Sequence, residues 1–183
     1  MEPPRPPAAL AARLIPATGT LGHLMALVGA VDPLEGSVLV VAGCLLVALH
    51  AWLSGSPRVL RVYRAGVAVM AAIGVAVLWV ISSRGGFGGP DGVPVSWAFL
   101  ILPYPAALVA GFSGPGGPRW VAWGGCAVGV GYLGIAAMLT WRPPPQAADP
   151  ADIAALLASL GLALLAACAA RIALRRGAGP GGR

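Results

Sequence analysis

The feature that most constrains this chain is an uncharged apolar stretch, 65–83, that follows three arginines. A helix rises about 1.5 Å per residue, so this stretch is long enough to cross the ~30 Å hydrocarbon core of a bilayer. Arg58, Arg61 and Arg64 precede it. Basic residues that flank a membrane helix are retained on the cytoplasmic side. The stretch therefore predicts a transmembrane helix of known orientation.

The composition excludes an ordinary soluble domain. Hydrophobic residues make up 58% of the 183 residues and charged residues only 10%, whereas a soluble domain has about 25% charged residues. The net charge of +6 is therefore not a sign of nucleic-acid binding. All twelve cations are arginines, a bias typical of a GC-rich genome. We expect a multi-pass protein of the bacterial cytoplasmic (inner) membrane.

Six apolar segments predict an all-α fold, a polytopic integral membrane helix bundle. Residues 1–13 are expected to form a disordered cytoplasmic tail, residues 14–176 the bundle, and residues 177–183 a flexible basic tail. The predicted helices are 14–31, 37–53, 65–83, 93–112, 120–141 and 153–170.

The distribution of arginines fits six crossings with both termini in the cytoplasm. The outer loops then contain only Arg84 and Arg142. The cytoplasmic segments contain the other ten arginines, which are Arg5, Arg13, Arg58, Arg61, Arg64, Arg119, Arg171, Arg175, Arg176 and Arg183. This asymmetry follows the positive-inside rule.

The first predicted crossing, 14–31, is the weakest of the six, because Pro16 and several polar residues interrupt it. It can also be interpreted as a signal peptide cleaved near Ala30 or as a segment lying in the membrane interface. In either case five transmembrane helices remain, and they keep their orientation.

Apart from cysteine thiols and tyrosine hydroxyls, the ionisable side chains inside the apolar segments are His23 and His50. Ion-coupled transporters and most intramembrane enzymes use acidic or basic groups within the membrane. The sequence therefore does not favour an enzyme, and we assign no catalytic residue and no metal site. One hypothesis makes the two histidines axial ligands of a haem, the only cofactor considered. The alternative is two unrelated neutral imidazoles with local hydrogen bonds.

Pro103, Tyr104 and Pro105 lie near the middle of the fourth predicted crossing. Proline lacks an N–H and clashes with the carbonyl four residues earlier, so the helix should break here. Broken helices line the substrate sites of many transporters, which makes the three residues a candidate substrate site. The alternative is a packing kink.

Gly125 and Gly129 form a GxxxG motif in the fifth crossing. Small residues allow helix backbones to approach closely in a membrane. We predict that this face packs against another helix of the same chain, with homodimerisation as the alternative.

The leading functional hypothesis is a non-catalytic membrane component, either a subunit of a complex or a sensor or anchor. Its expected partners are the lipid bilayer and other membrane protein chains, with a homo-oligomer as a further possibility, and nucleic acid is not expected. The alternatives are a small-solute transporter or channel subunit that uses the broken fourth helix, and a haem or redox protein that uses the two histidines.

Overall fold

The structure, a computed structural model, describes residues 6–32, 35–86, 92–141 and 150–177. These residues form helices and no β-strand, so the all-α prediction is confirmed. The elements are α1 (Pro6–Val31), α2 (Ser37–Leu53), α3 (Arg58–Ser83), a 3-10 helix (Val95–Ile101), α4 (Pro103–Ser113), α5 (Arg119–Trp141) and α6 (Pro150–Gly177). The loop 142–149 and most of the two predicted tails, 1–5 and 178–183, lie outside the described residues.

Within the described residues, four helices are long and apolar enough to cross a membrane. Their apolar windows are Leu14–Val31, Arg58–Ser83, Arg119–Trp141 and Ile153–Arg176. The segments Ser37–Leu53 and Phe99–Ser113 are apolar but shorter. The coarse prediction of a helical chain with membrane-length apolar helices is therefore confirmed, and the count of six crossings stays a prediction.

Three helices extend beyond the predicted limits because the prediction followed charge and hydropathy rather than helix propensity. α1 begins at Pro6 instead of residue 14. Proline is tolerated in a first turn, and the alanines that follow are strong helix formers. α3 begins at Arg58 and α6 ends at Gly177, because arginine is itself a good helix former. Only α2 has the predicted limits, 37 and 53.

The fourth segment breaks at Leu102, immediately before the predicted Pro103, Tyr104 and Pro105. Pro103 is the first residue of α4, not a residue of a helix interior. The fixed φ of proline suits this position, where no helical N–H bond is required. The preceding turns form the 3-10 helix, and the Phe99 carbonyl, 3.2 Å from the Leu102 N–H, accepts its hydrogen bond. The proline clash is therefore avoided.

The chain divides into two compact units, Met1–Val69 and Met70–Arg183. In the first unit α1 and α2 pack antiparallel at glycines. A Cβ atom built on Gly43 would lie 2.5 Å from the Gly22 oxygen and 2.5 Å from the Ala26 nitrogen. Nearer the connecting turn, a Cβ on Gly29 would lie 2.8 Å from the Val40 nitrogen. The two backbones are therefore in direct contact.

In the second unit α5 packs against α6, and α4 contacts both. Here too glycines set the approach. A Cβ on Gly161 of α6 would lie 2.7 Å from the Gly129 oxygen of α5. α4 also approaches α3 at one glycine, since a Cβ on Gly74 would lie 2.5 Å from the Tyr104 nitrogen.

We predict that Gly43→Ala lowers the free energy of unfolding by about 1–3 kcal/mol, because the added methyl overpacks the α1–α2 contact. The control is Gly66→Ala in α3, where no described atom lies within 4 Å of the added Cβ. Alanine there should leave stability unchanged or raise it slightly. Thermal unfolding of both variants in detergent measures the difference. Equal unfolding midpoints would contradict the close packing of α1 and α2.

Candidate functional site

The two predicted haem ligands lie together in the α1–α2 pair. His23 is 6% exposed, and its Nδ1 donates to the Gly19 carbonyl over 2.7 Å. His50 of α2 is half-buried, and its Nδ1 donates to the Ile15 carbonyl of α1 over 2.7 Å. A carbonyl oxygen only accepts, so each Nδ1 carries a proton. His50 thereby connects the two helices, whereas the hydrogen bond from His23 to Gly19 stays within α1.

Gly19 is the residue that both imidazoles contact. Its carbonyl accepts from His23, and a Cβ on it would lie 2.8 Å from the ring Cγ of His50. In a neutral imidazole with a protonated Nδ1, the lone pair is on Nε2, which is the arrangement that metal-ligating histidines use. Structural histidines make the same bond to a carbonyl. The haem interpretation of His23 and His50 stays a prediction.

Tyr104 does not lie in open surroundings. Its side chain is 4% exposed, and its backbone lies against Gly74. Pro103 and Pro105 are half-buried in the first turn of α4. Close packing of this kind does not favour a water-accessible substrate site at the three residues, and that assignment stays a prediction.

Gly125 and Gly129 face the interior of the second unit. A Cβ on Gly125 would lie 2.7 Å from the Cys168 sulfur of α6 and 3.0 Å from the Phe112 Cβ of α4. A Cβ on Gly129 would lie 2.8 Å from the Gly161 oxygen. These contacts agree with packing within one chain. Homodimerisation through this face stays a prediction.

An arginine that the sequence analysis placed outside the helices forms the best-defined polar contact in the second unit. Arg171 lies inside α6 and is 7% exposed. Its Nη1 donates to the Phe112 carbonyl over 2.6 Å, and its Nη2 donates to the Gly117 carbonyl over 2.5 Å. The last carbonyls of a helix have no partner within that helix. Arg171 therefore supplies the donor for one such carbonyl of α4 and connects the α4–α5 turn to α6.

An open cavity of about 420 Å³ lies beside this contact. The α4–α5 turn at residues 113–116 forms one side, and the α6 face that carries Arg171, Leu174 and Arg175 forms the other. Arg176 points elsewhere, with its guanidinium 5.9 Å from the centroid of the Trp123 ring. The sequence did not predict this cavity, because the last crossing was predicted from hydropathy to end at residue 170, before Arg171.

Comparisons of the chain with family models, with curated proteins and with solved structures return no match. The three cysteines, Cys44, Cys126 and Cys168, are free thiols. Among the residues that the structure describes, no group of three or more His, Cys, Asp or Glu side chains is placed to hold a metal ion. The candidate groups for function are therefore the paired histidines and the arginine-lined cavity.

We predict that Arg171→Leu lowers the free energy of unfolding by about 2 kcal/mol, because it leaves two carbonyls without their charged donor. The matched control is Arg175→Leu, which removes the same charge one turn later from an exposed side chain. Unfolding should be followed in lipid-free detergent, so that bound lipid does not contribute. Equal losses for both variants would contradict a structural role for the Arg171 hydrogen bonds.

Proposed function

We propose that this protein is a six-helix integral protein of the bacterial cytoplasmic membrane and acts there as a non-catalytic component of a membrane complex. Both termini lie in the cytoplasm. The distribution of side chains supports the membrane placement. Large apolar residues such as Trp141, Leu174 and Met138 are 88%, 76% and 73% exposed, whereas much of the buried core consists of alanines. Lipid, unlike water, solvates such a surface at no cost.

The pairing of helices supports six crossings rather than four. α2 has 17 residues, which corresponds to about 26 Å at 1.5 Å per residue. It packs antiparallel along the membrane-length window of α1 and should therefore lie at the same depth. The 3-10 helix and α4 would together extend about 30 Å if their axes align. Each short segment is therefore close to the thickness of a bilayer core.

The observation that carries the non-catalytic role is the set of hydrogen bonds that three polar side chains of the helices make to the backbone. His23, His50 and Arg171 each donate to backbone carbonyls. Two of the three connect different elements of the fold. Groups that would otherwise be candidates for proton transfer or charge stabilisation instead hold helices in register. A chain with this architecture and short loops acts most directly by binding another chain within the membrane.

Cysteine accessibility tests the topology. In a variant with the three native cysteines replaced by alanine, we expect Ser83→Cys to react with a membrane-impermeant maleimide in intact cells. Ser54→Cys should react only after the membrane is permeabilised, because the arginines that follow it hold that end of α3 in the cytoplasm. Both serines are exposed, so labelling after solubilisation controls for reactivity. The opposite pattern would invert the proposed orientation.

Site-specific photo-crosslinking tests the proposed complex. Gly66 of α3 and Gly131 of α5 have no described atom within 4 Å of an added Cβ, so each accepts a photoreactive side chain without disturbing the packing. Irradiation of intact membranes should attach a second protein chain of defined mass at one or both positions, and that chain should copurify in mild detergent. Recovery of the lone chain from both variants would contradict the proposal.

A further inference from the structure

One end of the second unit carries a concentration of positive charge. The only acidic residue of α4, α5 and α6 in the sequence, Asp152, lies in the first turn of α6, at the opposite end of that helix. α5 begins at Arg119, and α6 ends with Arg171, Arg175 and Arg176. The sequence has no Asp or Glu between residues 92 and 148, or after residue 152. The Arg171 hydrogen bonds hold the end of α6 beside the α4–α5 turn. The fold therefore collects arginines at one place.

The lining of the cavity at this end contains both polar and apolar residues. Arg171, Arg175 and Ser113 are its charged and hydroxyl-bearing residues. Ala167, Ala170 and Leu174 are apolar residues of the same lining. On α6 these positions follow the spacing that places residues on a single helix face. Ala167 and Ala170 precede the arginines on α6 and therefore lie toward the interior of the proposed membrane, whereas Leu174 lies between Arg171 and Arg175.

We propose that this cavity binds a phosphate-bearing anion, and specifically the phosphodiester headgroup of an anionic phospholipid. Arg175, which is exposed, contacts the phosphate, because a guanidinium matches phosphate oxygens in geometry and charge. Arg171 adds a positive charge that its two carbonyl bonds fix in position. Leu174 and the two alanines contact the first part of an acyl chain. The proposal rests on the membrane placement above.

A soluble phosphate can bind the arginines in the same way, but it has no apolar part to contact Ala167 and Ala170. An anionic phospholipid can contact both the arginines and the apolar residues of the lining. Basic pockets at the cytoplasmic ends of membrane helices suit such headgroups. The combination of charge and apolar surface in one cavity therefore favours lipid over a free anion.

The test is a lipid titration of the purified full-length chain, followed by native mass spectrometry in a neutral detergent. The probes are phosphatidylglycerol, phosphatidylcholine and inorganic phosphate. The test variant is Arg175→Gln. The matched control is Arg176→Gln, which removes the same charge from the next residue, lies over Trp123 and does not line the cavity. Unchanged thermal unfolding of both variants in lipid-free detergent verifies the fold.

We expect the native chain to bind phosphatidylglycerol more tightly than phosphatidylcholine. Arg175→Gln should weaken the binding of phosphatidylglycerol about fivefold, the usual contribution of one arginine near an anionic surface. Arg176→Gln should leave it unchanged. Equal weakening by both variants would mean that the lipid responds only to the overall positive charge of this end of the protein. That result would overturn the proposed site. Inorganic phosphate that binds in an Arg175-dependent manner, without preference for phosphatidylglycerol, would assign the cavity to a soluble anion and also overturn it.

The titration uses the isolated chain, so its result does not depend on whether a partner chain exists. Recovery of the lone chain after photo-crosslinking would not contradict the lipid site. Conversely, a lipid titration that overturns the lipid site would not contradict the proposed complex.

Discussion

The helix pairs of this protein depend on the direct approach of one backbone to another at glycines. Lipid is as apolar as leucine, so no hydrophobic force brings two helices together inside a membrane. Association then relies on van der Waals contact, which weakens as soon as a side chain separates the backbones. Gly22 and Gly43 provide this contact for α1 and α2, and Gly129 and Gly161 provide it for α5 and α6. Because the approach occurs at single residues, it also fixes the register of each pair.

Hydrogen bonds to backbone carbonyls add direction to this packing. His50 of α2 donates to Ile15 of α1, and Arg171 of α6 donates to Phe112 of α4 and to Gly117 of the following turn. Such bonds are electrostatically stronger in a medium of low dielectric constant, and an unpaired polar group there is correspondingly costly. His50 and Arg171 thus have a structural reason to be present in the helical bodies.

Sequence patterns predicted the helical elements better than their ends or their contacts. The limits of α2 followed directly from an apolar run between two turns. The start of α3 did not, because arginines indicate the membrane boundary but do not end a helix. The break in the fourth segment was predicted from its prolines, yet its position depended on Pro103 being able to begin a helix. Arg171 received no role, because its partners lie 59 and 54 residues away and only the tertiary structure brings them together.

The sizes of buried and exposed side chains lead to the same view of the environment. Burying a large aliphatic side chain in water-soluble proteins contributes about 1.5–3 kcal/mol, and such proteins place these residues inside. Here Ala30, Ala71 and Val121 are fully buried, whereas Val59 and Trp141 are 82% and 88% exposed. Small residues in the interior are what close backbone contact requires, and large residues on the surface lose nothing when the surrounding medium is hydrocarbon. The two features agree with each other, since helices that pack closely through glycine and alanine leave many of their large apolar side chains on the surface.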